Sequence, residues 1–400
     1  MTESKSILIL GGGIGGVVAA RSLRKKLPAA HRVIIVDRER DHLFAPSLLW
    51  FMTGRRTAED IRRPLARLAR KGIEVVYGDI QSIDPEERRV HIVNAAGQND
   101  SGSPSDTAVR DLDADYLIVS LGAELAPETV PGLGEAGHNF YTMPGAAALR
   151  DDLDTFAGGK VVVLTATPAY KCPAAPYEAA MLIDDHLKKR GVGDKTQIDL
   201  YAAEAGPMGV AGPQVSAGVR QMVENKGIGF HPEHQLTGVD LQTRRIAFEN
   251  GAHADFDLLA YVPPHRAPQV VRESGLVDES GWIPVDRNTL RTRFRGVYAI
   301  GDVTAIPLAV GKPLPMAGVF AEGQAAVVAQ NIAREITGNG KSASFDGHGG
   351  CFIEVGGGKA GFGRGNFYAD PTPQIKLYSV GRRWHIAKVI VEKTWFRRWL

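Results

Sequence analysis

The sequence SILILGGGIGGVVAARSL, at residues 6–23, decides the fold because it passes directly from a buried strand through a glycine turn into a helix. Gly11, Gly13 and Gly16 stand at the G-x-G-x-x-G spacing. Such glycines allow a tight turn, let the backbone approach a pyrophosphate and let the helix pack closely on the strand. The helix start adds N–H groups and a positive dipole that favour phosphate. The stretch therefore predicts a dinucleotide site, and the alternative is an ordinary glycine turn.

An acidic residue at the end of the next strand supports the dinucleotide interpretation. Asp37 ends the apolar run RVIIVD, residues 32–37, about 20 residues beyond the glycines. A carboxylate at this point accepts hydrogen bonds from the hydroxyls of the adenosine ribose. We therefore expect Asp37 to bind the same dinucleotide as the glycine turn.

Length and charge exclude several classes of protein. A chain of 400 residues exceeds what one hydrophobic core usually serves, so we expect two or three domains. The formal charge of +2 is too small and too evenly mixed to favour a nucleic acid as partner. The N-terminus has no signal-peptide pattern, and no segment has the roughly 20 apolar residues of a membrane-spanning helix. We expect a cytoplasmic protein, or one held on the inner face of the cytoplasmic membrane.

Two further stretches define the domain organisation. A second strand-rich α/β unit begins at GGKVVVLTATP, residues 158–168, and a much later strand, GVYAIGDV, carries Asp302 near its end. Asp302 and Asp37 can join one site only if the first domain is discontinuous. We therefore predict an α/β fold with two Rossmann-like dinucleotide-binding domains, the second inserted in the first, and a C-terminal region. The predicted bounds are 1–125 with 280–338 for the first domain, 126–279 for the inserted domain, and 339–400 for the C-terminal region.

Two local predictions accompany this organisation. The segment TAEDIRRPLARLARKG, residues 57–72, is predicted to be a helix whose arginines form its solvated face. The polar segment GQNDSGSPSDT, residues 97–107, is predicted to be a surface loop between two strands.

The inserted unit lacks the glycine fingerprint that a nicotinamide dinucleotide needs. No glycine occurs from Val161 through Ala180, and prolines stand where the turn and the helix start would need free N–H groups. The same stretch holds Cys172. We infer that this unit keeps the fold but has no phosphate cradle.

The chain has two cysteines, and the sequence leaves two interpretations open. Cys172 lies between a strand end and a helix start, where the helix dipole and the neighbouring Lys171 supply positive potential. Cys351 lies in GHGGCFIEVGGG, where glycines allow close approach of the backbone to another group. In a reducing compartment such cysteines are either buried thiols or redox groups, and the sequence does not reveal that the two meet.

Two motifs resemble those of flavoproteins with two dinucleotide-binding domains. YAIGDV, which contains Gly301 and Asp302, resembles their second flavin motif, and DYLIVSLG, which ends at Gly122, resembles their central strand motif. The resemblance implies that the first site holds FAD and that Asp302 contacts the ribityl chain.

The cysteine segments resemble a narrower family. KCPAAPYEAAML, PMAGVFAEGQAAVVAQNIA and the late Cys351 resemble segments of sulfide:quinone oxidoreductases and of the flavoprotein subunit of flavocytochrome c sulfide dehydrogenase. The resemblance implies that Cys172 and Cys351 form a disulfide or sulfur bridge beside the flavin and that Glu178 accepts a proton. The alternative for Glu178 is a first-turn carboxylate that only stabilises its helix. The chain departs from the family in having no earlier third cysteine and in carrying Met316 where a lysine is frequent.

The C-terminal stretch RRWHIAKVIVEKTWFRRWL, residues 382–400, mixes aromatic, aliphatic and basic residues. Such a mixture suits a bilayer interface, and the alternative is an element that docks its apolar side on the protein body. An interfacial position suits a quinone as electron acceptor, reached through an apolar pocket predicted to include Phe320, Phe352 and Ile353.

These observations predict an FAD enzyme that oxidises sulfide or a related sulfur species and passes the electrons to a membrane quinone. The alternatives are a type II NADH:quinone oxidoreductase, a sulfide dehydrogenase flavoprotein with a cytochrome partner, and a non-catalytic flavin-binding redox sensor. No metal site is predicted, and the oligomeric state stays open, with a homo-oligomer among the options.

Overall fold

The computed structural model describes residues 3–93 and 109–400, so the predicted surface loop at 97–107 lies outside the described residues. The first sheet is parallel and begins with the fold-deciding stretch: Ile7 pairs with Val33 on one side and with Tyr116 on the other. Its strands, in spatial order, are Val297–Ala299, Tyr116–Val119, Ser6–Leu10, Arg32–Asp37 and Glu74–Tyr77.

The second sheet is also parallel and is built from the middle of the chain. Its spatial order is His138–Asn139, Leu258–Val262, Gly159–Thr165, Thr196–Tyr201 and Gly229–His231. The strand Val297–Ala299 returns to the first sheet after the second is complete. The predicted α/β class with two Rossmann-like units is therefore confirmed, whereas the predicted domain bounds stay predictions.

Helices pack on the strands of both sheets. Ile14–Lys26, which opens at the glycine turn, packs against the long helix Gly318–Thr337 and buries Val17 and Val18. The packing of these two helices fixes the position of the glycine turn at the start of Ile14–Lys26. The remaining helices are Leu48–Phe51, Ala58–Ile61, Leu133–Ala136, Met143–Thr155, Ala175–Lys189, Pro213–Glu224, Gln269–Arg272 and Arg382–Trp399.

Short strands outside the two parallel sheets pair into small sheets. The antiparallel groups are Asp41–Leu43 with Arg62–Pro64; Asp79–Asp84, Arg89–Val93 and Val109–Asp113; Glu124–Leu125 with His265–Arg266; and Leu236–Asp240, Arg245–Phe248 and His253–Asp255. Ile283–Pro284 and Thr304–Ala305 form a parallel pair.

The predicted helix over residues 57–72 is wrong. A helix forms only over Ala58–Ile61, where Thr57 and Asp60 make a capping box. The chain then extends as the strand Arg62–Pro64 before a 3₁₀ helix at Leu65–Lys71. The cause is Pro64, because it has no N–H to donate and disfavours helical geometry at the residue before it.

The C-terminal region is a three-stranded antiparallel sheet followed by one helix. The strands His348–Gly356, Lys359–Asn366 and Gln374–Gly381 lead into Arg382–Trp399, hereafter the C-terminal helix. One face of this helix buries Trp395, Phe396 and Trp399, as the docking alternative requires. Its other face exposes Ile386, Ile390 and Val391, which leaves an apolar surface outside. Among the described residues, no helix combines the length and the apolar character needed to cross a membrane.

Candidate active site

A cavity of about 720 Å³ opens at the carboxyl ends of the first sheet's strands, where ligands bind in folds of this type. Its volume lies within the range of small-molecule sites. Of the predicted cofactor residues, it brings together Gly11, Gly13, Asp37, Gly122, Gly301 and Asp302. Lys171, Cys172 and Met316 stand on the same wall. The strand ends therefore unite in one site residues that are far apart in the sequence.

The absence of a side chain has a different structural consequence at each of the three glycines of the turn. Gly11 has φ +98°, and a Cβ there would overlap the carbonyl of Ser120. A Cβ at Gly16, which is not on the cavity wall, would overlap the carbonyl oxygen of Gly11, so helix and strand touch here. A Cβ at Gly13 would meet no atom within 4 Å, so this glycine borders open space of the cavity. The turn fits a dinucleotide pyrophosphate.

Both predicted acidic residues are partly buried, Asp37 at the end of a strand and Asp302 just after one. Burial raises the pKa of Asp37, while backbone N–H groups of Glu39 and Gly12 hydrogen-bond to its oxygens and oppose that shift. Burial also raises the pKa of Asp302, and the positive charge of Lys171 opposes it. The turn before Asp302 is held because the Gly301 N–H donates to Gln324 Oε1 at 2.7 Å.

Cys172 lies in a turn that is fixed from several directions. Its N–H donates to the Met316 carbonyl at 2.6 Å, and its own carbonyl accepts from the Ala175 N–H at 2.8 Å. The Tyr141 hydroxyl donates to the Lys171 carbonyl at 2.8 Å. Cys172 has φ +52°, a conformation that side-chain-bearing residues rarely adopt. Strained backbone of this kind concentrates at functional sites, since surrounding contacts must hold it.

The structure brings the two cysteines together. Cys351 lies on the strand His348–Gly356, which packs against the helix Ala175–Lys189 that follows Cys172. The Cys351 thiol donates to the Phe352 carbonyl at 3.3 Å. The neighbouring Cys172 thiol raises the pKa of Cys351, and burial adds to that shift. Both are free thiols here. Sequence reasoning selected both residues, but their proximity depends on the C-terminal sheet folding back over the first turn of that helix.

Glu178 belongs to a buried network of charges that sequence reasoning missed. Its Oε1 accepts from the Glu354 N–H at 2.9 Å and from Lys388 Nζ at 2.7 Å. Burial raises the pKa of Glu178, and Lys388 opposes that shift. Glu354, which is fully buried, pairs with His385 Nδ1 at 3.0 Å. The missed signal is the spacing of His385 and Lys388, which places both on one face of the C-terminal helix.

The three residues predicted to contact quinone do not line the main cavity. Phe320 is buried against Phe367, with ring centroids 5.0 Å apart, and reaches a small recess beside the cavity. Ile353 is completely buried in the core, so it offers no surface to a ligand. Phe352 points to the opposite side of its strand from Cys351 and packs on Phe362 at 4.8 Å.

At the carboxyl end of the second sheet, one carboxylate is occupied by hydroxyls of the chain itself. Glu204 follows the strand Thr196–Tyr201, and its carboxylate accepts hydrogen bonds from Thr165 at 2.9 Å and from Tyr177 at 2.7 Å. The Tyr170 hydroxyl donates to the same carboxylate. Glu204, which follows the second strand of this α/β unit as Asp37 ends the second strand of the first, is thus already hydrogen-bonded to three hydroxyls.

Known proteins resemble this chain over most of its length. It is 26% identical to a mitochondrial sulfide:quinone oxidoreductase of Dictyostelium discoideum over 87% of this chain and 74% of the relative. It is 26% identical to a sulfide-quinone reductase of Aquifex aeolicus over 98% of this chain and 90% of the relative. The solved structure of the Aquifex aeolicus sulfide:quinone oxidoreductase superposes with a TM-score of 0.85 at 24% identity, covering 99% and 91% of the two chains.

The predicted likeness to sulfide:quinone oxidoreductases is thereby confirmed, and the superposition confirms the fold. The family model for pyridine nucleotide-disulphide oxidoreductases matches residues 5–330, which include the glycine turn, both parallel sheets and the cavity. This match implies an enzyme with a flavin cofactor. The matched residues make up more than half of the chain, and the chain therefore belongs to the pyridine nucleotide-disulphide oxidoreductase family.

Proposed function

We propose that the protein uses FAD to oxidise sulfide, or a related reduced sulfur species, through Cys172 and Cys351 and passes the electrons to a quinone. The observation that carries the proposal is that Cys172 lies on the wall of the cavity, while the strand of Cys351 packs against the helix that follows Cys172. The neighbouring Cys172 thiol also raises the pKa of Cys351. The names of the similar proteins agree with it, since they are sulfide:quinone oxidoreductases.

The sulfur chemistry follows from thiol–disulfide exchange. Hydrosulfide attacks one sulfur of a Cys172–Cys351 disulfide, the S–S bond breaks, one cysteine becomes a persulfide and the other leaves as a thiolate. A sulfur acceptor then takes the outer sulfur and leaves two reduced cysteines. Re-forming their disulfide releases two electrons, and FAD supplies the two-electron acceptor when bound.

Glu178 is proposed to accept the proton that hydrosulfide or a thiol gives up. Its carboxylate is buried and carries a raised pKa, which favours proton uptake. Its negative charge also contributes to the raised pKa of Cys351. Lys388 holds the carboxylate in place at 2.7 Å, so the acceptor stays beside the sulfur pair.

The cofactor would be held by the glycine turn and by the two partly buried acids Asp37 and Asp302. The backbone at Gly11 and Gly13 suits the pyrophosphate, and Asp37 suits the adenosine ribose. Gly122 and Gly301 have positive φ values, 68° and 76°, on the cavity wall, where their backbone is open to a ligand. Asp302 would contact the ribityl chain, as the family resemblance implies.

The C-terminal helix is proposed to rest on a membrane surface, where a quinone is dissolved. Ile386 and Ile390 are 55% and 56% exposed on its outer face, next to exposed Arg382, Arg383 and Lys393. Apolar residues flanked by cations suit a bilayer interface. Phe352, which is half-buried, remains the proposed quinone contact. Burial argues against both Phe320 and Ile353.

The test is an anaerobic titration of the FAD-loaded protein with sulfide. We expect the visible flavin band to bleach in the wild type and in His348→Ala, an exposed residue on the strand of Cys351. Cys172→Ala and Cys351→Ala should not bleach. Bleaching of both cysteine variants at the wild-type rate would exclude the mechanism, and failure of the wild type to reduce a short-chain quinone with sulfide would exclude the enzyme activity.

A further inference from the structure

One buried histidine connects the C-terminal helix to the glycine turn of the cofactor cavity. Trp395 Nε1 lies 2.9 Å from His42 Nε2, and His42 Nδ1 lies 2.8 Å from the carbonyl oxygen of Gly12. His42 is 1% exposed. The three groups form a continuous chain of hydrogen bonds between an outer helix and the centre of the turn.

The chemistry of the indole fixes the direction of this chain. An indole N–H can only donate, so His42 Nε2 accepts from Trp395 and carries no proton. The proton of the neutral ring is therefore on Nδ1, which donates to the Gly12 carbonyl. Burial lowers the pKa of His42, which keeps the ring in this neutral form.

Gly12 is held through the peptide units on both sides of it, because its N–H donates to Asp37 Oδ2 at 2.5 Å and its carbonyl accepts from His42 Nδ1. The Leu65 side chain fills the space where a Cβ of Gly12 would lie. Gly12 stands between Gly11 and Gly13, whose backbone faces the cavity. A shift of His42 would therefore move the pyrophosphate cradle.

The same part of the C-terminal helix is anchored on the segment that carries His42. The Trp395 ring packs on Phe44 with centroids 5.1 Å apart. Buried Glu392 accepts from both Ser47, at 2.6 Å, and Arg56, at 2.7 Å. Packing and ion pairing thus fix where the indole N–H is presented.

We propose that His42 and Trp395 are positioning residues for the cofactor and that docking of the C-terminal helix and binding of FAD are coupled. The proposal rests on FAD as the proposed cofactor. Because coupling between two binding events is reciprocal, a docked helix tightens FAD binding and bound FAD tightens helix docking by the same factor.

The test compares two tryptophans of one helix. Trp395→Phe keeps an aromatic ring against Phe44 but removes the N–H, which leaves a buried acceptor on His42 unpaired. Trp399→Phe is the matched control, since Trp399 is also buried but its Nε1 has no hydrogen-bond partner among the described residues. Apoprotein is titrated with FAD, and the dissociation constant is read from flavin fluorescence.

We expect Trp395→Phe to weaken FAD binding by about tenfold, the usual consequence of one unpaired buried group, and Trp399→Phe to leave it unchanged. His42→Leu should weaken binding at least as much, and the double variant should add little to it, because both changes break one chain. In the wild type, FAD should also slow amide exchange in residues 382–399, and this protection should shrink in Trp395→Phe.

The outcomes separate the coupling from the cofactor assignment. Tight FAD binding by the wild type together with equal dissociation constants for Trp395→Phe and Trp399→Phe would overturn the coupling alone. A wild type that does not bind FAD would overturn the proposed cofactor and the coupling with it. Loss of amide protection in the second sheet of Trp395→Phe would assign its effect to general unfolding and would also overturn the coupling.

Discussion

At the scale of single residues, His265 is a strongly perturbed base whose ring lies edge-on to Tyr141 of the cavity wall, with centroids 5.8 Å apart. Burial first, and the positive charge of Lys171 second, lower its pKa to about 3. Its Nδ1 lies 2.8 Å from the Pro263 carbonyl, while its buried Nε2 has no hydrogen-bond partner among the described residues. The ring is therefore neutral at all physiological pH values.

This histidine should make the protein sensitive to acid. The unfolded ring takes up a proton near pH 6.5, whereas the folded ring resists it to about pH 3. Between these values the unfolded state binds more protons, so the free energy of unfolding falls as pH falls. From neutral pH to about pH 5 the loss from this residue is about 2 kcal/mol. Across that pH range, the free energy of unfolding measured with urea should fall less in His265→Gln than in the wild type. Equal losses in the two proteins would contradict the lowered pKa of His265.

Residues of the site differ in how well the sequence predicts them. Cys172 and Asp37 are predictable because each is defined by its immediate neighbours, a strand end and a helix or turn. Lys388 and Glu354 are not predictable in this way, since each contacts Glu178, which is distant from both in the sequence. The apolar side chain of Ile353 predicts a position on a pocket wall. The alternation of side chains along its strand instead directs it into the core.

At the scale of elements, the C-terminal helix has two faces of different character. The inner face holds Lys388 and Glu392 in buried ion pairs with Glu178 and Arg56. The outer face carries the exposed aliphatic residues. Sequence periodicity is weak here because buried charges interrupt the apolar side, which is why docking and interfacial binding could not be separated before the structure.

Removing the outer aliphatic residues should weaken membrane binding. The variant Ile386→Ser with Ile390→Ser loses apolar area without touching a buried partner, so we expect about tenfold less partitioning onto vesicles that contain anionic lipid. Leu241→Ser is the matched control, since Leu241 is 50% exposed in the second unit. Vesicle sedimentation measures the bound fraction. Equal sedimentation of the double variant and the control would reject the interfacial role.

The segment at residues 57–72 illustrates how one residue changes an element. Its composition favours a helix, and the capping box at Thr57 does start one. Pro64 then converts the middle into a strand that pairs with Asp41–Leu43. That pairing orients His42 toward the glycine turn, so the interruption that sequence reasoning overlooked contributes to the cofactor site.

At the scale of the whole molecule, the two parallel sheets have the same architecture but different ligand capacity. The first sheet ends in a glycine turn and an open cavity, and the second ends in a tyrosine-rich turn that is closed by its own hydrogen bonds. This difference was predictable from the absence of glycine after the strand Gly159–Thr165. The hydrogen bonds of Glu204 were not predictable, because its partners Tyr170 and Tyr177 come from another part of the chain.

The closed second unit predicts that the protein does not use NADH. A nicotinamide dinucleotide would need a glycine turn for its pyrophosphate and a free carboxylate for its ribose. Here the turn holds prolines, and Glu204 is bonded to three hydroxyls. Displacing those hydroxyls would leave buried polar groups unpaired, at about 1–3 kcal/mol each.

Anaerobic stopped-flow mixing of the FAD-loaded protein with NADH or NADPH, beside sulfide as the positive control, measures this difference. We expect sulfide to bleach the flavin band at least a hundredfold faster than either nucleotide at equal concentration. This ratio corresponds to a difference of about 3 kcal/mol in activation free energy. Tyr177→Phe should leave the nucleotide rate as low as in the wild type, because freeing one hydrogen bond of Glu204 does not supply the missing glycine turn. Rapid reduction by NADH would instead favour an NADH:quinone oxidoreductase and would mean that the turn around Tyr170 opens in solution.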